Sequence, residues 1–295
     1  MIITGDDTEE MIELRKNLFN EFEMKDLGLL KYFLGIEVLR SKKGIFINQR
    51  KYVLDLLAEV GMVDCKPADT PMVQNHGLQM KENARLADRG RYQRLVGKLI
   101  YLSHTRPDIA YAVGVVSQFM HAPQEEHWDA ALRIVRYLKG TADHGLLFEK
   151  HGNLEIHGFT DADWAGNPND RKSTAGYFTF IGGNLVTWRS KKQKVVALSS
   201  AEAEFRGIKS GLTELLWLRR IMKELGLDSS KTCKLFCDNK AAISISENPE
   251  NIEAKIVEMP FVKSEDQLAD ILTKAVNSKL FREVLCKLSI GNPVA

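Results

Sequence analysis

The spacing of apolar positions along this 295-residue chain changes near its midpoint, from a helical period to an alternating one. In the front half, Met11, Leu14, Leu18, Phe19 and Phe22 recur at helical spacing. Asp6–Glu10 just before them reads as a capped, acidic first turn. Leu29–Leu39 predicts a strand, with Gly44–Ile47 as its hairpin partner. Tyr52, Leu56, Leu57 and Val60 mark an amphipathic helix over Gln49–Val60, and Cys65–Gly90 has no period and reads as a loop or linker. Three helices are then expected: Arg91–His104, Asp108–Met120 opened by Pro107, and a third from Pro123 to a stop at Gly140.

After Gly145 the pattern becomes strand, strand, strand, helix, strand, helix, strand, helix. The expected strands are Leu154–Thr160, Thr174–Ile181 and Leu185–Arg189, followed by a long helix over Ser200–Leu225. Strand Lys234–Cys237 leads into helix Asn239–Ser246, and strand Ile256–Val262 into helix Glu265–Ala275. Hairpins first and βα units afterwards predict an α/β (α+β) fold: a mixed five-stranded sheet with helices, preceded by a hairpin and a small helical module.

Within this frame four carboxylates draw attention. Asp161, with Asp163 behind it, closes the first of these strands in GFTDADWAG, where a lone Asp-x-Asp is more often a polar strand end. Ser199-x-x-Glu202 forms a capping box, so Glu202 is occupied with backbone. Glu204 shares a stripe with Ile208, Gly211, Leu215, Leu218 and Met222, the face that must pack on the sheet. A carboxylate aimed there without a partner costs several kcal/mol, so it needs a cation. Asp238 ends a strand and starts a helix, which alone reads as an N-cap. Asp270, behind a second capping box Ser264-x-x-Gln267, alone reads as an exposed helix acid. Converging, the four would hold divalent metal ions.

Composition narrows the classes. A formal net charge of +2 argues against a strongly basic nucleic-acid tail but leaves a local basic patch open. Four scattered cysteines without a C-x-x-C pair indicate neither a zinc site nor a disulfide framework, and suit a reducing compartment. No secretory signal and no apolar run of roughly 20 residues is visible, so an intracellular chain without membrane contact is expected, cytoplasmic or nuclear. No Gly-rich loop follows a strand, which disfavours a small-molecule cofactor.

The segments TDADWAGNPNDRKSTAGY, SKKQKVVALSSAEAEF, LFCDNKAAI and PFVKSEDQLADILTKA resemble the ribonuclease H domain of copia-type retrotransposon Pol polyproteins. LKYFLGIEVLRSKKGIFINQRKYVLDLL, YQRLVGKLIYLSHTRPDIAYAVGVVSQFM and WDAALRIVRYLKGT are similar to the segment that follows the polymerase motif in the same polyproteins. The resemblance covers essentially the whole chain and implies three parts. Residues 1–75 would be the end of a reverse transcriptase palm, without the polymerase catalytic aspartates. Residues 76–150 would be a thumb-like connection, and residues 151–290 a ribonuclease H-like domain.

The resemblance further implies hydrolysis of the RNA strand of an RNA–DNA hybrid with two Mg²⁺ ions, or Mn²⁺ in their place, on Asp161, Glu204, Asp238 and Asp270. Arg189, Lys191, Lys192 and Lys194 are candidates for gripping phosphates, with a solvated turn as the alternative. Ser199 and Ser200 are candidates for reading 2′-hydroxyls. The remaining polyprotein parts are further candidate partners. Two departures stand out: no histidine follows His157 to assist proton transfer, and a helix usual in the family is missing between Asn248 and Lys255. The alternative is therefore a catalytically inactive remnant that keeps the fold and weak nucleic-acid binding.

Overall fold

The computed structural model describes residues 2–227, 231–246 and 256–292; the departure between Asn248 and Lys255 lies outside the described residues. Asp7 caps the first helix, Thr8–Glu21 (α1), by accepting from the N–H groups of Glu9 and Glu10 at 3.0 Å. The single strand expected over Leu29–Leu39 is instead a tight pair, Tyr32–Phe33 (β1) and Ile36–Arg40 (β2). Leu34 and Gly35 between them both take positive φ, which folds the chain back on itself.

Gly44–Asn48 (β3) pairs antiparallel with β2, and the helices Arg50–Glu59 (α2) and Arg89–Leu102 (α3) follow. The next expected helix begins as a 3₁₀ turn, Pro107–Ile109, and continues as Ala110–Ser117 (α4). Glu125–Gly140 (α5) then leads to Gly145–Glu149 (β4).

The second half holds Ile156–Asp163 (β5), Thr174–Ile181 (β6), Asn184–Lys192 (β7) and the long helix Ser200–Glu224 (α6). Cys233–Phe236 (β8), Lys240–Ser246 (α7) and Val257–Glu258 (β9) come next. Two 3₁₀ segments, Ser264–Asp266 and Leu268–Leu272, replace the helix expected over Glu265–Ala275. A helix not read from the sequence, Ser278–Lys287 (α8), and a short strand, Ile290–Gly291 (β10), come last among the described elements.

Among the described residues two five-stranded sheets result, ordered β1-β2-β3-β4-β10 and β7-β6-β5-β8-β9. In the second, β5 pairs antiparallel with β6 and parallel with β8, and β8 pairs parallel with β9, the mixed sheet that the pattern predicts. One face carries α6, through Ile208, Leu215, Leu218 and Met222 against Ile156, Leu235 and Val257. On the other face Phe178, Phe180 and Leu185 join one continuous core with α2 to α5, the 3₁₀ segment Leu268–Leu272 and α8. No helix among the described residues is long and apolar enough to cross a membrane.

Candidate metal centre

Strand β5 runs on past Thr160, so Asp161 sits within the ladder opposite Gly176 rather than beyond the strand end. That pairing has a steric purpose. A Cβ on Gly176 would lie 2.5 Å from the Leu272 Cβ, so only glycine lets the Leu268–Leu272 segment come down onto the strand beside Asp161. Asp161 is only 3% exposed, and the Thr273 hydroxyl donates to its Oδ2. Burial pushes its carboxyl up, against the pull of Lys274 and Thr273.

Glu204 arrives on α6 from the other face. Ser199 accepts from the Glu202 N–H at 3.2 Å, while the Glu202 carboxylate reaches the Leu198 N–H at 2.8 Å, one residue earlier than a capping box requires. Ala203, Gly207 and Gly211 then form the stripe that faces β5 and β8. A Cβ at Gly207 would stand 3.1 Å from Thr160 Oγ1, and one at Gly211 would stand 3.1 Å from Leu235 Cδ1. These small residues let the helix ride low enough for Glu204, buried at 6% exposure, to reach the strand end. There it accepts from the Ala162 backbone. Burial first, then Asp161 and Asp238, push its carboxyl up to about 9.

Asp238 follows β8, where the sequence alone reads it as a helix cap. Asn239 does the capping instead, its Oδ1 accepting from the Ala242 N–H at 3.0 Å, so the Asp238 carboxylate is left to the site. The Ser264 hydroxyl donates to its Oδ2 at 2.8 Å.

Asp270 lies on the buried 3₁₀ segment, at 5% exposure, not on an exposed helix face. Ser264 and Gln267 do not form the expected capping box. Gln267 starts the segment by accepting from the Ala269 N–H at 3.2 Å, and its Nε2 donates to the Thr160 carbonyl at 3.0 Å. Burial, then Asp161, push the Asp270 carboxyl up to about 7, while Lys274, with Nζ 3.0 Å from Oδ1, opposes them.

One carboxylate oxygen each from Asp161, Asp238 and Asp270 lie within 4.8 Å of one another, and so do ligand atoms of Glu204, Cys237 and Asp238. Asp238 belongs to both groups, so four acids from four elements share one small volume. Like charges this close and this buried do not all ionise unaided, as the raised carboxyls of Glu204 and Asp270 record. Hard oxygen donors in that number fit a divalent cation such as Mg²⁺. The second strand-end acid, Asp163, belongs to neither group: it is partly buried and its carboxylate is tucked against Gly166.

The candidate nucleic-acid residues line the run from β7 into α6. Arg189, Lys191 and Lys194 are exposed, as is Ser200, while Lys192 pairs with Asp170 at 3.0 Å and Ser199 is engaged as a cap. Sequence reasoning missed Gln267, Thr273 and Lys274. The Asp270 to Lys274 spacing of four residues was a visible signal, and the other two become meaningful only once β5 and the 3₁₀ segment are adjacent.

A mixed sheet that brings acids to one end from two strands, the long helix and the final 3₁₀ segment defines a ribonuclease H-like fold. Residues 1–74 match the family described as reverse transcriptase (RNA-dependent DNA polymerase). The Retrovirus-related Pol polyprotein from transposon RE1 of Arabidopsis thaliana is 38% identical over 307 residues, covering 98% of this chain and 21% of that protein. An uncharacterized mitochondrial protein of Arabidopsis thaliana is 40% identical over 217 residues, covering 74% of this chain and 90% of that one.

Among solved structures, an RNase H1 in complex with an RNA/DNA hybrid is similar at 16% identity and a TM-score of 0.29, over 40% of this chain and 94% of that one. The chain belongs to the copia-type retrotransposon Pol polyprotein family, and it spans about a fifth of the length of the transposon RE1 polyprotein.

Proposed function

We propose that this chain is a divalent-metal-dependent ribonuclease H that hydrolyses the RNA strand of RNA–DNA hybrids. The observation that carries the reading is the convergence of Asp161, Glu204, Asp238 and Asp270, buried or half-buried, within one small volume. These four would hold two Mg²⁺ ions, with Mn²⁺ as the substitute. Bound there, the metal supplies Lewis acidity for the attacking water and for the leaving 3′-oxygen. Thr273 and Ser264 orient Asp161 and Asp238 by donating to one oxygen of each, so the remaining oxygens face the site in fixed directions.

Arg189, Lys191, Lys192 and Lys194 bind phosphates along β7 and the turn after it, and Ser199 and Ser200 meet the 2′-hydroxyls that tell RNA from DNA. In this reading residues 1–75 derive from a polymerase palm, 76–150 from a connecting segment and 151–290 from the nuclease. Asp7 serves as a helix cap, so no polymerase step is assigned. The hybrid is the partner, together with the remaining polyprotein where it is present, in the cytoplasm or nucleus.

The test is cleavage of a labelled RNA–DNA hybrid with Mg²⁺. Wild type is expected to cut the RNA strand, and Asp238→Asn is expected to leave the hybrid intact. Retained hybrid binding by wild type without any cleavage would select the inactive remnant instead.

A further inference from the structure

We propose that Lys274 is the resident counter-ion of the carboxylate cluster, an ammonium that stands in for a divalent cation and is displaced when one binds. The inference rests on the metal-centre reading above and adds a residue to it. Lys274 Nζ lies 3.0 Å from Asp270 Oδ1, and among the described residues no other lysine or arginine forms an ion pair with any of the four acids. Asp270 Oδ1 is buried and otherwise has no hydrogen-bond partner, so the ammonium is what meets it. Burial raises the Asp161 and Asp163 carboxyls, and the charge of Lys274 opposes that rise at both.

The side chain is placed for this by its backbone. The Lys274 N–H donates to the Asp270 carbonyl at 3.0 Å, which fixes the pair one turn apart at the end of the 3₁₀ segment. Lys274 also lines a cavity with room for about one water molecule, shared with Thr70, Tyr111, Ala112 and Ile271. The residue thus borders the helical side of the molecule while its head reaches the acids. The side chain is 43% exposed, so it is not locked inside the core. An ion entering the Asp161–Asp238–Asp270 group would share a carboxylate with that ammonium, and two cations on one carboxylate repel. Lys274 thus lets the empty cluster fold, and raises the metal concentration needed to fill it.

The experiment titrates the full chain with Mn²⁺, reading free ion by electron paramagnetic resonance at low ionic strength, for wild type, Lys274→Met and Lys274→Arg. Lys274→Met is expected to bind Mn²⁺ about tenfold more tightly, the scale of one partly screened charge repulsion, and Lys274→Arg to bind like wild type. In EDTA the Met variant is expected to melt below wild type, with the gap closing under saturating Mn²⁺. Equal or weaker Mn²⁺ binding by the Met variant, with a native circular dichroism spectrum, overturns the proposal while leaving the metal centre standing. A melting gap of the same size with and without Mn²⁺ overturns it too, because a merely structural lysine behaves that way. If none of the three proteins binds Mn²⁺, both the proposal and the metal-centre reading fail.

Discussion

Glu204→Gln is expected to make the metal-free protein more stable while abolishing cleavage. The buried carboxyl is pushed from its ordinary 4.5 up to about 9, chiefly by burial and then by Asp161 and Asp238. Between those values the folded protein keeps a proton that the unfolded chain releases, so stability falls as pH rises from 4.5 towards 9. At about 1.4 kcal/mol per pH unit, the penalty is about 3 kcal/mol at pH 7.

Glutamine has no charge to lose. Its amide N–H takes over the donation to Asp161 that the protonated Glu204 makes, so packing and hydrogen bonding are conserved. The assay is thermal or urea unfolding in EDTA at several pH values. The variant is expected to match wild type near pH 4.5 and to exceed it by about 3 kcal/mol at pH 7, a rise in Tm of about 6–12 °C for a cooperative unit of this size. Saturating Mg²⁺ is expected to narrow the gap, since only wild type offers the full carboxylate set. A variant that is less stable at every pH, or whose advantage does not grow with pH, would refute the argument that Glu204 is a folding liability kept for a cation.

Arg106 and Asp108 form a fully buried pair, Nη2 to Oδ2 at 2.7 Å, with the Tyr137 hydroxyl donating to the same oxygen at 2.6 Å. Arg106→Met would strand the Asp108 charge and is expected to cost about 3–5 kcal/mol in urea unfolding. Burial works to raise the Asp108 carboxyl, but the guanidinium outweighs it and holds it below its ordinary 3.8. This contribution is therefore present above pH 4 and lost as pH falls through the lowered value. Gly176→Val is expected to push the Leu268–Leu272 segment off the sheet, since even a Cβ would meet Leu272 at 2.5 Å; about 1–3 kcal/mol of stability and most metal affinity should go with it, read by unfolding and Mn²⁺ titration.

Much of this architecture was legible because period and burial agree. Thr174–Ile181 has the bounds that its alternation predicts, and α6 ends one residue from the expected stop, its buried stripe being the one counted from Glu204. The failures occur where tertiary contact decides between local options. Asp238 and Asn239 are both good capping residues, and nothing local says which one caps; the answer sets whether a carboxylate is free for the site. Leu268, Ile271 and Leu272 suit an α-helix as well as a 3₁₀ turn until Gly176 draws the segment down. The hairpin break at Leu34 needed a leucine at positive φ, which sequence preference argues against. Helix α8 was within reach, since Phe281, Val284 and Leu285 recur at helical spacing and are buried.

A cluster of buried acids opposes folding, so the rest of the molecule must hold it together, and the helical front half does much of that holding. The segment carrying Asp270 is pressed between β5 and β6 on one side and α4, the Pro107–Ile109 turn and α8 on the other. Phe178 and Phe180 on the sheet, fully or almost fully buried, belong to the same core as Val53, Leu99, Val116 and Leu138. Each such side chain stabilises by about 1.5–3 kcal/mol when buried. Polar ties cross the same interface: the Trp188 indole N–H donates to the Ser103 carbonyl at 2.9 Å, and Asn167 Nδ2 donates to Gln118 Oε1 at 2.7 Å. Without that wall the Leu268–Leu272 segment would be exposed on its outer side, leaving hydrogen bonds such as Gln267 to Thr160 and Thr273 to Asp161 to hold Asp270 at the Asp161 strand. The front half has no assigned chemistry in this chain, yet it supplies the packing energy that lets four carboxylates meet.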